Sequence, residues 1–198
     1  MAQKKSELEE LFDKYRYDKD ISKKSRTWFE QQVLLLSKKR ISPNQLLSKA
    51  DSQLTSNALP GKLYMFFYDP KTKDTLPYYD RFPLVFPFRK TPDGFIGLNM
   101  HYLPHKLRFL LMDRLLMFKN NDKFDETTKL RYSWGMIDGV SKFAIAKPCV
   151  KRYLSSHLRS PLIDINAGDW STAMMLPVER FVGATKDQVW LDSRRNGI

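Results

Sequence analysis

Two histidines, His101 and His105, stand four residues apart, the separation that puts a pair of zinc ligands on one helical face. Pro104 lies between them at a strand-to-helix junction, and no glutamate follows His101. The two rings therefore need not share a face, and junction residues or a phosphate contact fit them better than a metal. Asp69, Asp74, Asp80 and Asp93 fall in the loops of one block, and clustered carboxylates are what a metal-dependent nuclease uses to hold its cation. Aspartates beside Pro or Gly, however, ordinarily cap turns. Cys149 is the one cysteine, which excludes an internal disulfide or a cysteine-rich metal site. It follows Pro148 in a helix-like segment with no placed base, so it reads as a buried structural thiol. His157 reads as a partly buried helix residue. The sequence holds no Gly-rich phosphate loop and no G-x-S-x-G elbow. The expectation is a protein without catalysis and without a cofactor.

Binding chemistry remains. Tyr78, Tyr79, Arg81, Phe82, Phe86, Phe88, Arg89 and Lys90 interleave rings and cations. Cations of this kind neutralise phosphates, and exposed rings stack on unpaired bases. Alternating aromatics in strands also serve as core, and both readings stay open at this level. Lys+Arg number 34 against 22 Asp+Glu, a net charge of +12. The excess is localised, with 12 basic against 7 acidic residues over 1–50 and 12 against 5 over 104–160. The strand-like stretches are near neutral. Such localisation suits a surface facing a polyanion. The candidate phosphate contacts, made without base reading, are Lys38, Lys39, Arg40, Arg89, Lys90, Lys106, Arg108, Lys151 and Arg152.

These residues need elements to hold them. Ser6-Glu7-Leu8-Glu9 has capping-box spacing and opens a helix. A second helix runs over 22–39, and Ser42-Pro43 restarts a short third. DSQLTSNALPG reads as a linker. Residues 62–68 read as a strand, and 84–102 as a β-hairpin turned by Thr91-Pro92-Asp93-Gly94. Pro87 places its strand at an edge or at a bend. Pro104 opens a helix with Leu107, Leu110, Leu111, Leu115 and Phe118 inward. Asp125 caps a second through Leu130, Trp134 and Ile137. Pro148 starts a third, with Val150, Leu154 and Leu158 inward and Lys151, Arg152 and Arg159 outward. LIDI is extended, and STAMMLPVERFVGA reads as one or two strands returning to the sheet. The fold class predicted is α+β: a small antiparallel SH3-like or partly open β-barrel, with N-terminal helices and a helical insertion before the last strands. The domains predicted are an N-terminal helical region, 1–58, and a barrel domain, 59–198, with the insertion at about 104–160. No apolar run approaches the roughly 20 residues of a membrane span, and MAQKKSELEELF lacks a secretory apolar segment. A soluble protein made in a cytoplasm, without a membrane partner, is expected.

The strings PGKLYMFFYDPKTKDTLPYYDRFPLVFPF, GFIGLNMHYLP and LRFLLMDRL, with SKKSRTWF, RYSWGMIDGVSKF and DWSTAMMLPVERFVGA, cover most of the chain. Together they resemble the virion-associated DNA end protector family of T-even-like myophages and their cyanophage relatives. The resemblance implies a non-enzymatic protein carried in the virion near the head–tail junction. It would bind the ends of the linear double-stranded genome and shield them from the host RecBCD exonuclease after injection. Portal, neck or tail proteins are the other partners it implies, and host cytoplasm is the second location. The alternative is a neck, head-completion or tail/baseplate assembly protein whose basic face lines or touches packaged DNA.

Overall fold

The computed structural model describes residues 54–119, 121–176 and 178–195. The helices expected before residue 50, with Lys38, Lys39 and Arg40, lie outside the described residues.

A six-stranded antiparallel sheet organises the rest. Its order is β1 (Leu54–Thr55), β7 (Leu162–Ile165), β2 (Leu63–Met65), β4 (Leu84–Thr91), β5 (Gly94–Asn99) and β6 (Val150–Leu154). A separate pair joins β3 (Tyr79–Asp80) to β8 (Phe181–Val182). The α+β class holds and no closed barrel forms: among the described residues β1 and β6 are the edges of an open sheet. The reason lies in the strands themselves. LVFPF and LYMFF are apolar at both parities, so each strand buries two faces instead of presenting one to a lumen and one to solvent. Leu63, Met65, Leu84, Phe86, Leu98, Ile163 and Ile165 face the helices. Tyr64, Phe66, Val85, Phe95, Tyr153 and Leu162 form a second cluster on the other side, against which Leu158 packs.

The hairpin β4–β5 closes where TPDG signals it, Thr91 pairing with Gly94. Pro87 sits in a central strand, flanked by β2 and β5, so of the two expectations the bend is the one realised. The register slips between Pro87 and Arg89, a bulge that accommodates the missing ladder donor. The Pro87 carbonyl accepts from Gly61 N–H at 3.0 Å. Gly94 allows β5 and β6 to approach: a Cβ there would lie 1.9 Å from the Tyr153 carbonyl oxygen.

Between β5 and β6 the chain crosses the sheet as α1 (His105–Lys119) and α2 (Glu126–Ser141). Pro104 opens α1, its carbonyl accepting from the amides of Leu107 and Arg108. Asp125 caps α2 by accepting from Thr128 N–H at 2.7 Å. That bond to the backbone amide holds its carboxyl below the usual range. Phe109, Met112, Leu115 and Leu116 on α1 and Ile137 on α2 pack on the sheet, each large side chain contributing about 1.5–3 kcal/mol of apolar burial. Leu110 is exposed, and Phe118 instead stacks on Tyr132 at 5.2 Å.

Three sequence expectations are corrected. Residues 150–154 form a strand, not a helix, paired with β5 from Leu98↔Val150 to Gly94↔Leu154. Val150, Leu154 and Leu158 are four apart, a spacing that satisfies a strand's period of two as well as a helix's 3.6, so the pattern could not discriminate. The insertion therefore ends at the 3-10 stretch Ala144–Cys149. STAMMLPVERFVGA yields the helix α3 (Trp170–Met175) and then β8, which joins the small pair and not the main sheet. DSQLTSNALPG contains β1, which extends the sheet across β7. A C-terminal helix, α4 (Lys186–Arg195), buries Val189 and Trp190.

Candidate nucleic-acid interface

The histidines lie inside the molecule. His101 is fully buried, its Nδ1 2.7 Å from Asp80 Oδ2. Asn99 Nδ2 donates to the same oxygen at 3.2 Å, and Phe82 N–H donates to Asp80 Oδ1 at 3.1 Å. His105 packs edge-on to Trp190, with Nε2 3.9 Å from Glu179. Among the described residues no group of three His, Cys, Asp or Glu side chains could hold a metal ion. Asp80 is thus an interior hydrogen-bond acceptor. Asp69 and Asp93 are surface partners of cations, Asp69 of Lys73 and Arg159, Asp93 of Arg152. Cys149 is buried, and burial pushes its thiol up to about 12. His157 is part-buried in a short 3-10 turn, Nδ1 at 2.9 Å from the Asp69 carbonyl oxygen.

Arg108 does not reach the surface. Its Nε donates to Leu103 O at 2.7 Å, Nη1 to Met174 O at 3.1 Å and Nη2 to His101 O at 3.1 Å, while Nη2 meets Glu179 Oε1 at 2.6 Å. Burial alone would raise the Glu179 carboxyl, but Arg108, His101, His105 and a backbone hydrogen bond together outweigh it, Arg108 foremost among them, and the group sits at about 2. These four contacts of Arg108 tie α1 to the chain before it, to α3 and to the segment leading into β8. It is withdrawn as a phosphate ligand: a cation placed in a helix by periodicity can face either way.

The basic surface lies where the long excursion 69–79 crosses the edge strand β6. There a cleft of about 460 Å³ is lined by Tyr68, Tyr78, Tyr79, Tyr102 and Tyr153, with Lys71, Lys151 and Arg152 among its cations. Tyr68 and Tyr79 also wall a second cleft of about 430 Å³, which holds Lys73, Arg81 and Arg159. The two clefts form one basic, aromatic face. The floor is rigid, since Tyr153 stacks on Phe95 at 5.4 Å and meets Phe66 and Tyr68 edge-on at 5.2 and 5.0 Å. Tyr68 OH accepts from Leu154 N–H and Tyr153 OH from Asn99 Nδ2, both at 3.1 Å. Burial raises the phenols of Tyr68, Tyr102 and Tyr153, so they remain neutral donors in the cleft.

Successive side chains on a strand diverge, and the two cations of β6 do so here. Arg152 forks onto Asp93 at 2.7 and 2.8 Å, and the pairing holds the Asp93 carboxyl low. Lys151 runs inward over the ring of Tyr102, 4.2 Å from its centroid. Of the nine sequence candidates, Lys151 and Arg152 line the cleft. Arg89 and Lys90 lie exposed at the tip of β4, Arg89 over the Phe88 ring at 6.0 Å and Lys90 donating to Asn57 Oδ1 at 3.2 Å. Lys106 sits part-buried at the start of α1. The aromatics divide: Phe82, Phe86 and Phe88 are core, while Tyr78 and Tyr79 are half-buried at the cleft wall. Sequence reasoning did not single out Lys71, Lys73 and Arg159 as contacts, and it placed Arg81 among the interleaved cations without counting it in the nine. The clue was available in the excursion itself, where DPKTKD places Lys71 and Lys73 just after a proline between two aromatic stretches.

No curated protein and no solved structure matches the chain. The family model of the phage T4 terminal DNA protecting protein matches residues 15–192, a span that takes in the sheet, the helical crossing and the basic cleft. The chain belongs to the phage T4 terminal DNA protecting protein family.

Proposed function

We propose that the protein binds the termini of a linear double-stranded phage genome and blocks host RecBCD, and that it travels in the virion near the head–tail junction. The observation that carries the reading is the basic, tyrosine-walled face formed by the excursion 69–79 and β6 in a chain of a DNA-protecting family. Among the described residues, Lys71 and Arg81 have no carboxylate within ion-pair distance. Their charge is available to phosphates, whose neutralisation releases counterions and makes affinity steeply salt-dependent.

The test compares a linear duplex with a circle of equal sequence over a salt series, and follows survival of the linear form under RecBCD. Preferential binding of the linear form, with protection at sub-saturating protein, is the expected result. Lys71→Gln and Arg81→Gln should each flatten the log–log salt slope by about one. Equal binding of both forms, with protection only when the duplex is coated, would refute end recognition and leave a role in particle assembly on portal, neck or tail proteins.

A further inference from the structure

We propose that the cleft over Tyr102 and Tyr153 is a receptor for one terminal nucleotide, its phosphomonoester on Lys151 and Lys71 and its base against the rings of Tyr78 and Tyr79. The inference rests on the end-binding reading and adds to it the part of the DNA that is recognised.

Lys151 motivates the proposal. It extends from an edge strand into the cleft, where its ammonium makes no ion pair and no hydrogen bond with the described residues, only the ring contact with Tyr102. Burial lowers its pKa, as expected for a cation that has given up water without gaining a counter-charge. Surface lysines seldom turn inward in this way unless an anion completes them. The carboxylates that line the same cleft are already engaged, Asp80 by His101, Asn99 and the Phe82 amide, and Asp93 by Arg152 and Thr91. Lys151 therefore faces a cleft that has room for an anion and offers it no competing acid of its own.

The choice of a terminal over an internal phosphate follows from charge and access. A phosphomonoester carries about −1.5 to −2 at neutral pH, against −1 for a diester. Only a chain end can put its last phosphate into a recess without bending the strand through it. The walls suit the rest of a nucleotide: Leu76 is 41 % exposed at the rim, and Tyr78 and Tyr79 are half-buried beside it. Ring faces of this kind stack on any base, so recognition would be independent of sequence. A volume of about 460 Å³ lies within the range of small-ligand sites.

The experiment uses the full chain and two sets of probes. The first set is short single-stranded thymidine oligonucleotides bearing a 5′-phosphate, a 3′-phosphate or neither, titrated by calorimetry. The second is a one-ended duplex hairpin with the same three termini. One of the phosphorylated forms should bind on the order of tenfold more tightly than the unphosphorylated form, in line with one charge-assisted contact, and the arms report which terminus is read. Lys151→Met keeps the aliphatic stem and should erase that preference while leaving the melting temperature unchanged or higher, since a poorly compensated cation is removed. Tyr79→Leu should weaken oligonucleotides with and without phosphate alike. No phosphate preference in either probe set, or a preference that survives Lys151→Met, overturns the proposal. A phosphate preference in the oligonucleotides, with equal binding of linear and circular duplex, would support the receptor and refute end protection, so the two readings fail separately.

Discussion

Replacing Arg108 by Met removes the one buried guanidinium among the described residues. The variant keeps most of the side-chain volume, so the loss is electrostatic. Glu179 is left as a buried carboxylate without its counter-ion, and the carbonyls of Leu103, His101 and Met174 each lose a donor. Two routes give the magnitude. Glu179 is held at about 2 against an ordinary value of 4.5, which corresponds to roughly 3 kcal/mol of stabilisation of its charged form. Removing one member of a buried pair costs about 3–5 kcal/mol in other proteins. Urea unfolding at pH 7 should therefore show a loss of about 3–5 kcal/mol, or a melting point lower by roughly 10 °C for a chain of this size. The pH dependence gives the sign. In the parent a depressed carboxyl contributes stability that is complete above about pH 4.5 and is lost as pH falls towards 2. In Arg108→Met the largest lowering influence on Glu179 is gone while the burial that raises it remains, so its carboxyl rises and the variant should gain stability relative to the parent as pH falls from neutrality. Arg108→Met/Glu179→Gln should recover part of the loss at pH 7. A variant that unfolds at the parent's urea midpoint but has lost DNA affinity would refute the reasoning and return Arg108 to the interface.

Three further outcomes are expected. Gly94→Ala should destabilise by roughly 1–3 kcal/mol, because the new methyl meets the Tyr153 carbonyl oxygen and β6 must move; thermal melting checks this, and the same shift should displace Lys151 and reduce DNA affinity. Cys149, buried with its thiol raised to about 12, should resist a disulfide reagent in the native state and react completely in denaturant. Trp134→Phe should cost about 1 kcal/mol in urea unfolding, through loss of the 2.9 Å bond from its indole N–H to Phe88 O, which fastens α2 to the bulged strand.

Local patterns were legible where one short-range rule dominates. The TPDG turn fixes the β4–β5 register, Asp125 caps α2, Pro104 opens α1, and Pro87 announces a bend that the bulge provides. The family was legible too, because odd strings such as PYYDRFPLVFPF are specific without being catalytic. What the sequence could not decide was direction. Lys151 and Arg108 are each a cation beside an apolar residue, and nothing in their spacing says that one lines a cleft while the other ties helices together inside the molecule. Residues 150, 154 and 158 fit two periods at once, and long-range pairing with β5 chose the strand. Asp69 and Arg159 are ninety positions apart, yet Arg159 Nη2 donates to Asp69 Oδ2 at 3.1 Å beside the basic cleft. Turns, caps and helix starts depend on neighbours within a few bonds and are written in composition. A binding face depends on which distant segments share a sheet edge, and that is settled only when the whole core packs.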